Sequence, residues 1–306
     1  MSLTIAVFGL GAWGRTLQSL WERQGHRVLG WSRRSGGNPV ELLAQVDLVA
    51  IALAMEGIDT LAVQLAPHWP KRLPLLSCSK GIDPDRLATP CQLWRHHLPQ
   101  APLLALSGPN LAGELAQGLP AASVIASEDQ ALAKQLQEQL SGDGLRLYRS
   151  SDLVGVEAAG ALKNVMALAA GICDGLGLGA NAKASLLCRG LAEMGVVVRG
   201  LGGEATSLYG LAGLGDLLAT ANSPLSRNYR CGLLLAEGWD ETTAVARIGA
   251  TVEGPRTARA ALALAEQQGW SLPICDQVLA VLEGTTSPAL AVQALMQRHL
   301  KAEAVP

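Results

Sequence analysis

Apolar residues run through this chain in two different rhythms. In the first half they form short runs, at Leu3–Gly9, which is also β-branched, and at Arg27–Trp31, Asp47–Leu53, Pro74–Ser77, Pro102–Leu106, Ala121–Ala126 and Leu145–Tyr148. Segments of helical spacing separate them, beginning with Gly11–Gln24. Strands alternating with helices predict an α/β domain with a mainly parallel sheet and right-handed crossovers. From about Val156 the apolar positions recur at three and four instead, with Ala158, Ala161, Leu162 and Val165 on one stripe. Helical patterns continue over Ala182–Val198, Ser226–Glu237, Pro255–Gln268 and Cys275–Leu282, and no strand pattern is evident there. The change of rhythm predicts a boundary near residue 150, with a sheet domain at 1–150 and an all-α domain at 151–306. The last residues, from Lys301 to Pro306, are expected to fray.

Composition narrows the classes of function. The chain has 306 residues, 49% hydrophobic and only 4% aromatic, with a formal net charge of -2. There is no basic stripe, so nucleic acid is not an expected partner. The six cysteines, Cys78, Cys91, Cys173, Cys188, Cys231 and Cys275, form no CxxC pair and no Cys/His cluster. They are expected to be free thiols, and no metal is expected. The apolar start lacks a basic n-region and a cleavage signature, and the run Val165–Ala182 is interrupted by Asp174. A cytoplasmic protein without membrane insertion is expected. A closed symmetric homodimer is the commonest prior for assembly.

Chemistry first appears at Gly9-Leu10-Gly11-Ala12-Trp13-Gly14. A GxGxxG pattern alone is weak, but here it follows the first strand and opens the first helix. Gly9 suits a tight turn, Gly11 lets the backbone approach a pyrophosphate, and Gly14 lets helix and strand pack closely. Helix N-terminal amides would then face the phosphates of a dinucleotide. The second strand ends in Trp31-Ser32-Arg33-Arg34, where a carboxylate would hold the ribose hydroxyls of NAD. Two guanidiniums in its place predict NADP(H) as the preferred cofactor, with NAD(H) as the alternative. A solvated arginine pair on a loop is the bland reading.

Further segments place polar groups among apolar or glycine-rich neighbours. Lys80 follows the fourth strand, where the ends of a parallel sheet border the binding crevice. Ser107-Gly108-Pro109-Asn110 follows the fifth, and Asn110 could equally be a helix cap. Lys163 lies among small residues on a helix; desolvation there would lower its pKa toward proton exchange near neutrality. On pattern alone, a lysine on an exposed helix face is the commoner case. Asp216, after Gly210-Leu211-Ala212-Gly213-Leu214-Gly215, could orient such a lysine. Ser226-Arg227-Asn228 precedes a helix and could bring hydroxyl, guanidinium and amides onto a phosphate. A capped helix with a surface arginine would look the same.

Together these segments resemble the bacterial NAD(P)-dependent sn-glycerol-3-phosphate dehydrogenases. The matching text is GLGAWG at 9–14, SKG at 79–81, SGPNLAGEL at 107–115, GVEAAGALKNVMALAAGICDGLGLGANAKASLLCRGLAEM at 155–194, GLAGLGDLLAT at 210–220, SRN at 226–228 and VEG at 252–254. The resemblance implies a Rossmann-type N-terminal domain and interconversion of dihydroxyacetone phosphate and sn-glycerol 3-phosphate, feeding phospholipid synthesis. It implies Lys163 as the catalytic lysine and Lys80 as a second active-site lysine touching cofactor and substrate. Substrate positions would be Lys80, Gly108, Asn110, Lys163, Asp216, Ser226, Arg227 and Asn228. Cofactor positions would be Trp13, Arg33, Arg34, Lys80, Ala112, Arg227, Thr251 and Glu253, beside the turn glycines. Lys80 and Asp216 are expected to complete a network that sets the protonation of Lys163. Three features depart from the usual bacterial pattern. Ala12 replaces a common Ser, Asn110-Leu111 stands where Ser-Phe is frequent, and the stretch from Arg34 to Asp47 is short, predicting a trimmed helix. A related β-hydroxyacid dehydrogenase would fit the SRN block and the GLGLG segment at 175–179 less well, and a non-catalytic cofactor sensor would keep the turn but could lose Lys163 and Asp216, both present here.

Overall fold

The computed structural model describes residues 2–142, 144–300, 302 and 303. The expected fraying of Lys301–Pro306 falls mostly outside these residues. Seven strands form one sheet: β1 (Thr4–Phe8), β2 (Arg27–Trp31), β3 (Leu48–Ile51), β4 (Leu75–Ser77), β5 (Leu103–Ser107), β6 (Ala121–Ala126) and β7 (Leu145–Ser150). Their order is β2-β1-β3-β4-β5-β6-β7. The chain steps outward from β1 to β2, then returns past β1 to β3. Helices α1 (Ala12–Arg23) and α3 (Ile58–Leu65) consequently bury separate cores, α1 with Leu17, Leu20 and Trp21, α3 with Ile58, Leu61 and Leu65. That reversal opens a crevice at the C-terminal ends of β1 and β3, the usual ligand position in open α/β sheets. Between β2 and β3 the helix α2 is one turn, Val40–Leu43, in line with the short sequence there.

All strands but one pair are parallel. β5 and β6 run antiparallel, with Ser107 opposite Val124. Their connection contains only α5 (Ala112–Ala116), too short to carry the chain back along the sheet for a parallel return. Helices α4 (Pro90–His97) and α6 (Gln130–Leu140) complete the sheet half.

After Ser150 the described residues contain no further strand. The first helix there, α7 (Leu153–Gly175), starts a turn earlier than its apolar rhythm suggests, because Asp152 caps it by accepting from the Gly155 N–H at 2.8 Å. It is not amphipathic. α8 (Gly179–Gly200), α9 (Asp216–Ala221), α10 (Arg227–Ala236), α12 (Gly254–Gln268) and α13 (Pro273–Leu282) enclose it. Its length and composition would suit a membrane span, but 94% of its apolar window is buried inside this fold. Helices α11 (Glu241–Ile248) and α14 (Pro288–Met296) are not evident from the sequence pattern.

Glycine sets how closely α7 and α10 approach. A Cβ on Gly171 would lie 2.1 Å from the Tyr229 carbonyl oxygen, and one on Gly232 would lie 2.2 Å from that of Leu168. The two backbones therefore touch directly. Two buried glutamates join other elements by receiving helix N-terminal amides. Both oxygens of Glu157 accept from the Cys91 N–H of α4, at 3.0 and 3.1 Å. Those of Glu193 accept from Ile274 and Cys275 of α13. Burial pushes each carboxyl up to about 7 against these hydrogen bonds. All six cysteines are free thiols, and only Cys188 is exposed.

Candidate active site

The glycine turn fits a dinucleotide for three separate geometric reasons. Gly9 has φ +106, and a Cβ there would sit 2.5 Å from the Ala52 carbonyl oxygen of the β3 exit. A Cβ on Gly14 would lie 1.8 Å from the Gly9 carbonyl oxygen, so α1 can start against the turn only with glycine there. A Cβ on Gly11 would meet nothing within 4 Å. Space is thus kept open in front of the first helical amides, where a pyrophosphate needs close approach. Trp13 is half-buried beside the turn, and the Ala112 carbonyl accepts a 3.2 Å bond from Thr16 Oγ1 on the same helix. Arg33 and Arg34 are exposed just past β2, whose last residue Trp31 accepts the Gly9 N–H.

Lysine chemistry gathers at the sheet's C-terminal edge. Ser79 Oγ donates to the Leu53 carbonyl at 2.7 Å, tying the β4 exit to the β3 exit. Lys80 then reaches across and donates to the Gly108 carbonyl at 2.9 Å and to Asp216 Oδ2 at 2.6 Å. Helix α7 crosses the end of β5 at Gly160, where a Cβ would lie 2.4 Å from Ser107 Oγ. One turn further on, Lys163 lies 3.0 Å from Asp216 Oδ1 and donates to Thr220 Oγ1 at 2.6 Å. Thr220 in turn donates to Asp216 Oδ1 at 3.1 Å. Each ammonium has three N–H donors. With two engaged, each keeps one to offer to a ligand.

Lys163 is only 7% exposed, which excludes the solvated-face reading. Burial lowers its pKa to about 8; Asp216 opposes that, while Lys80 and Arg227 add to it. Burial alone would raise Asp216, but the two ammoniums outweigh it and hold the carboxyl below its ordinary value. Asp216 owes its position to the segment before it. Leu211–Gly215 forms a single wide π turn, allowed because Gly213 packs its Cα against Leu208, and the turn ends at Asp216. Such turns recur at functional sites.

The Ser226–Asn228 segment starts α10 as the sequence suggests. Ser226 Oγ accepts from the Tyr229 N–H, leaving the first-turn amides of Arg227 and Asn228 without helical partners. The Asn228 side chain, a substrate position by resemblance, is largely engaged within the fold. Its Nδ2 donates to Asn164 Oδ1 at 2.8 Å and its Oδ1 accepts from the Gly254 N–H at 2.9 Å. Only its backbone amide and second Nδ2 hydrogen remain. Asn110 is not a helix cap either, since α5 starts at Ala112 with Leu111 before it. Near the start of α12, Thr251 is exposed and Glu253 half-buried. Glu253 Oε1 accepts from the Met55 N–H, while its buried Oε2 has no partner. An unpaired acceptor beside the crevice fits a donor on a bound cofactor. Thr220 does not stand out in the sequence; the available signal is its i+4 spacing from Asp216 on one helix face. Among the described residues no cluster of three or more His, Cys, Asp or Glu could hold a metal ion.

Known proteins share this arrangement along almost the whole chain. Residues 152–293 match the family model described as NAD-dependent glycerol-3-phosphate dehydrogenase C-terminus. Residues 37–133 match the corresponding N-terminus model. A glycerol-3-phosphate dehydrogenase (NAD(P)+) of Synechococcus sp. (strain RCC307) is 55% identical, covering 99% of this chain and 100% of that one. Its counterpart from Synechococcus elongatus is 45% identical over 98% of both chains. The crystal structure of glycerol-3-phosphate dehydrogenase from Coxiella burnetii superposes with a TM-score of 0.93 at 33% identity, covering 97% of this chain and 99% of that one. A 3-hydroxyisobutyrate dehydrogenase of Mycobacterium tuberculosis reaches a TM-score of 0.52 at 15% identity, which reflects a shared fold alone.

Proposed function

Since this chain belongs to the NAD(P)-dependent glycerol-3-phosphate dehydrogenase family, we propose that it reduces dihydroxyacetone phosphate to sn-glycerol 3-phosphate, reversibly, through the lysine cluster around Asp216. The observation that carries this reading is the sharing of one buried carboxylate by Lys80 and Lys163. When bound, the nicotinamide dinucleotide supplies the hydride. The chain's own groups do the rest. The free N–H of Lys163 meets the substrate carbonyl oxygen, stabilises the charge that develops there, and delivers the proton. Asp216 and Thr220 hold that ammonium in place, and Lys80 carries the second positive charge while bridging to the Gly108 loop. Arg227, with the first amides of α10, binds the phosphate, and Ser226 shapes that turn. The turn glycines, Trp13, Ala112, Thr251 and Glu253 line the cofactor side. The division at residue 150 then separates a cofactor half from a substrate half.

Purified protein is expected to oxidise NADPH on addition of dihydroxyacetone phosphate. Turnover of a hydroxyacid or its keto acid, with none of dihydroxyacetone phosphate, would overturn the reading. Arg227→Ala is expected to raise KM for dihydroxyacetone phosphate roughly 10- to 100-fold, the worth of a charged hydrogen bond. It should leave the slow reduction of unphosphorylated dihydroxyacetone nearly unchanged. Equal losses on both substrates would remove Arg227 from phosphate binding.

The preference for NADP(H) rests on Arg33 and Arg34, which no carboxylate pairs in the described structure. NADPH should be turned over at lower KM than NADH, and replacing both arginines by alanine should raise KM for NADPH roughly tenfold. A wild-type preference for NADH would refute it. Assembly as a homodimer, residence in the cytoplasm and supply of glycerol 3-phosphate to phospholipid synthesis complete the proposal, supported by the family's character.

A further inference from the structure

The Asn110 carboxamide is satisfied at one end only. Its Oδ1 accepts a 2.5 Å hydrogen bond from Ser123 Oγ, while its Nδ2 is buried without a partner. A buried N–H without an acceptor is uncommon enough to require an explanation. Ser123 is fully buried in β6 and reaches Asn110 because β6 runs antiparallel to β5. That direction sets Ser123 beside Gly108; a Cβ on Gly108 would lie 2.9 Å from Ser123 Cα and 3.1 Å from its Oγ. Gly108 is also the residue whose carbonyl holds Lys80. The unpaired donor therefore lies two residues along the loop that orients the second lysine.

We propose that Ser123 is a positioning residue for substrate binding: it clamps the Asn110 carboxamide so that Nδ2 is presented as a fixed donor to an oxygen of the phosphorylated substrate. This rests on the dehydrogenase reading above. An anionic ligand rich in acceptors is the complement of an N–H donor, and the reverse orientation would turn Oδ1 toward the same anion. Ser123 itself touches no ligand. Its contribution is to keep the longer Asn side chain, which stands where the family frequently has Ser, from rotating out of register.

A double-mutant cycle tests the coupling, with Ser123→Ala, Asn110→Ser and the pair together assayed at saturating NADPH. Ser123→Ala alone is expected to raise KM for dihydroxyacetone phosphate about two- to tenfold, the range of one neutral hydrogen bond. Its kcat and its KM for NADPH should stay within about twofold. In the Asn110→Ser background the same substitution should change KM no further, since that variant has no carboxamide to clamp. Equal rises in both backgrounds, or no rise in either, would overturn the proposal. Asn110→Asp provides a second reading that leaves Ser123 intact. It keeps the acceptor for Ser123 but turns a carboxylate oxygen toward the substrate, so its KM should rise more than that of Ser123→Ala. An unchanged KM in Asn110→Asp would equally overturn the proposal. Wild-type protein inactive on dihydroxyacetone phosphate would instead defeat the dehydrogenase reading itself.

Discussion

Replacing Lys163 with methionine is expected to lower the rate of dihydroxyacetone phosphate reduction roughly 100- to 10,000-fold, the range for loss of a positioned general acid. Methionine fills much of the same volume among the small residues of α7, so the fold and the NADPH affinity should survive. Binding measured by NADPH fluorescence separates the two effects. A near-normal rate would remove Lys163 from the mechanism. In the wild type the pH profile should report the same group. Burial brings the lysine down to about 8, so it is protonated below that value and neutral above it. As a proton donor it should support reduction at a constant kcat/KM up to about pH 8, with a fall beyond. The reverse reaction needs the neutral amine and should rise over the same interval.

Asp216→Asn is expected to produce the second large effect, on both stability and pH dependence. The carboxylate is the shared counter-charge of two ammoniums. Removing one partner of a buried ion pair costs about 3–5 kcal/mol, because the remaining charge loses its compensation. The melting temperature should fall accordingly. Asparagine also removes the attraction that holds the Lys163 proton against burial and against Lys80. The alkaline limb of the reduction profile should therefore move below about pH 8, and activity at neutral pH should drop. A limb that stays in place while activity falls would mean that Asp216 acts only as a scaffold.

Much of this architecture is legible in the residues alone, and the rest is hidden for identifiable reasons. The seven strands are legible because each apolar run is short and alternates with segments of helical spacing. The direction of β6 is not, since alternation along a strand is the same whichever way it runs. The glycine turn is legible because a strand and a helix flank it. The π turn before Asp216 is hidden because Gly-Leu-Ala-Gly-Leu-Gly has the composition of a loop. Its geometry depends on Gly213 meeting Leu208. Lys163 illustrates the limit most clearly. Its neighbours are small and apolar, but only the ring of helices around α7 shows that no face of that helix reaches solvent. Thr220 and Ser123 escape a reading of the sequence for a related reason. Each is a single hydroxyl in an apolar stretch, and its role depends on a partner brought near by folding. Asn228 reads as a ligand group, yet most of its side chain joins α7 to the start of α12.

The direct backbone contact between α7 and α10 works as a length gauge. One helix carries Lys163, proposed as the proton donor, and the other begins at Arg227, proposed to bind the phosphate. With Gly171 and Gly232 pressed against the opposite chain, the two helices cannot slide or separate without breaking that contact. On the proposed roles, the span from reacting carbonyl to phosphate would thereby be set by the fold as well as by side-chain reach. A ketose phosphate one carbon longer or shorter would carry the same charge and the same reactive group. It would satisfy only one end of the gauge at a time.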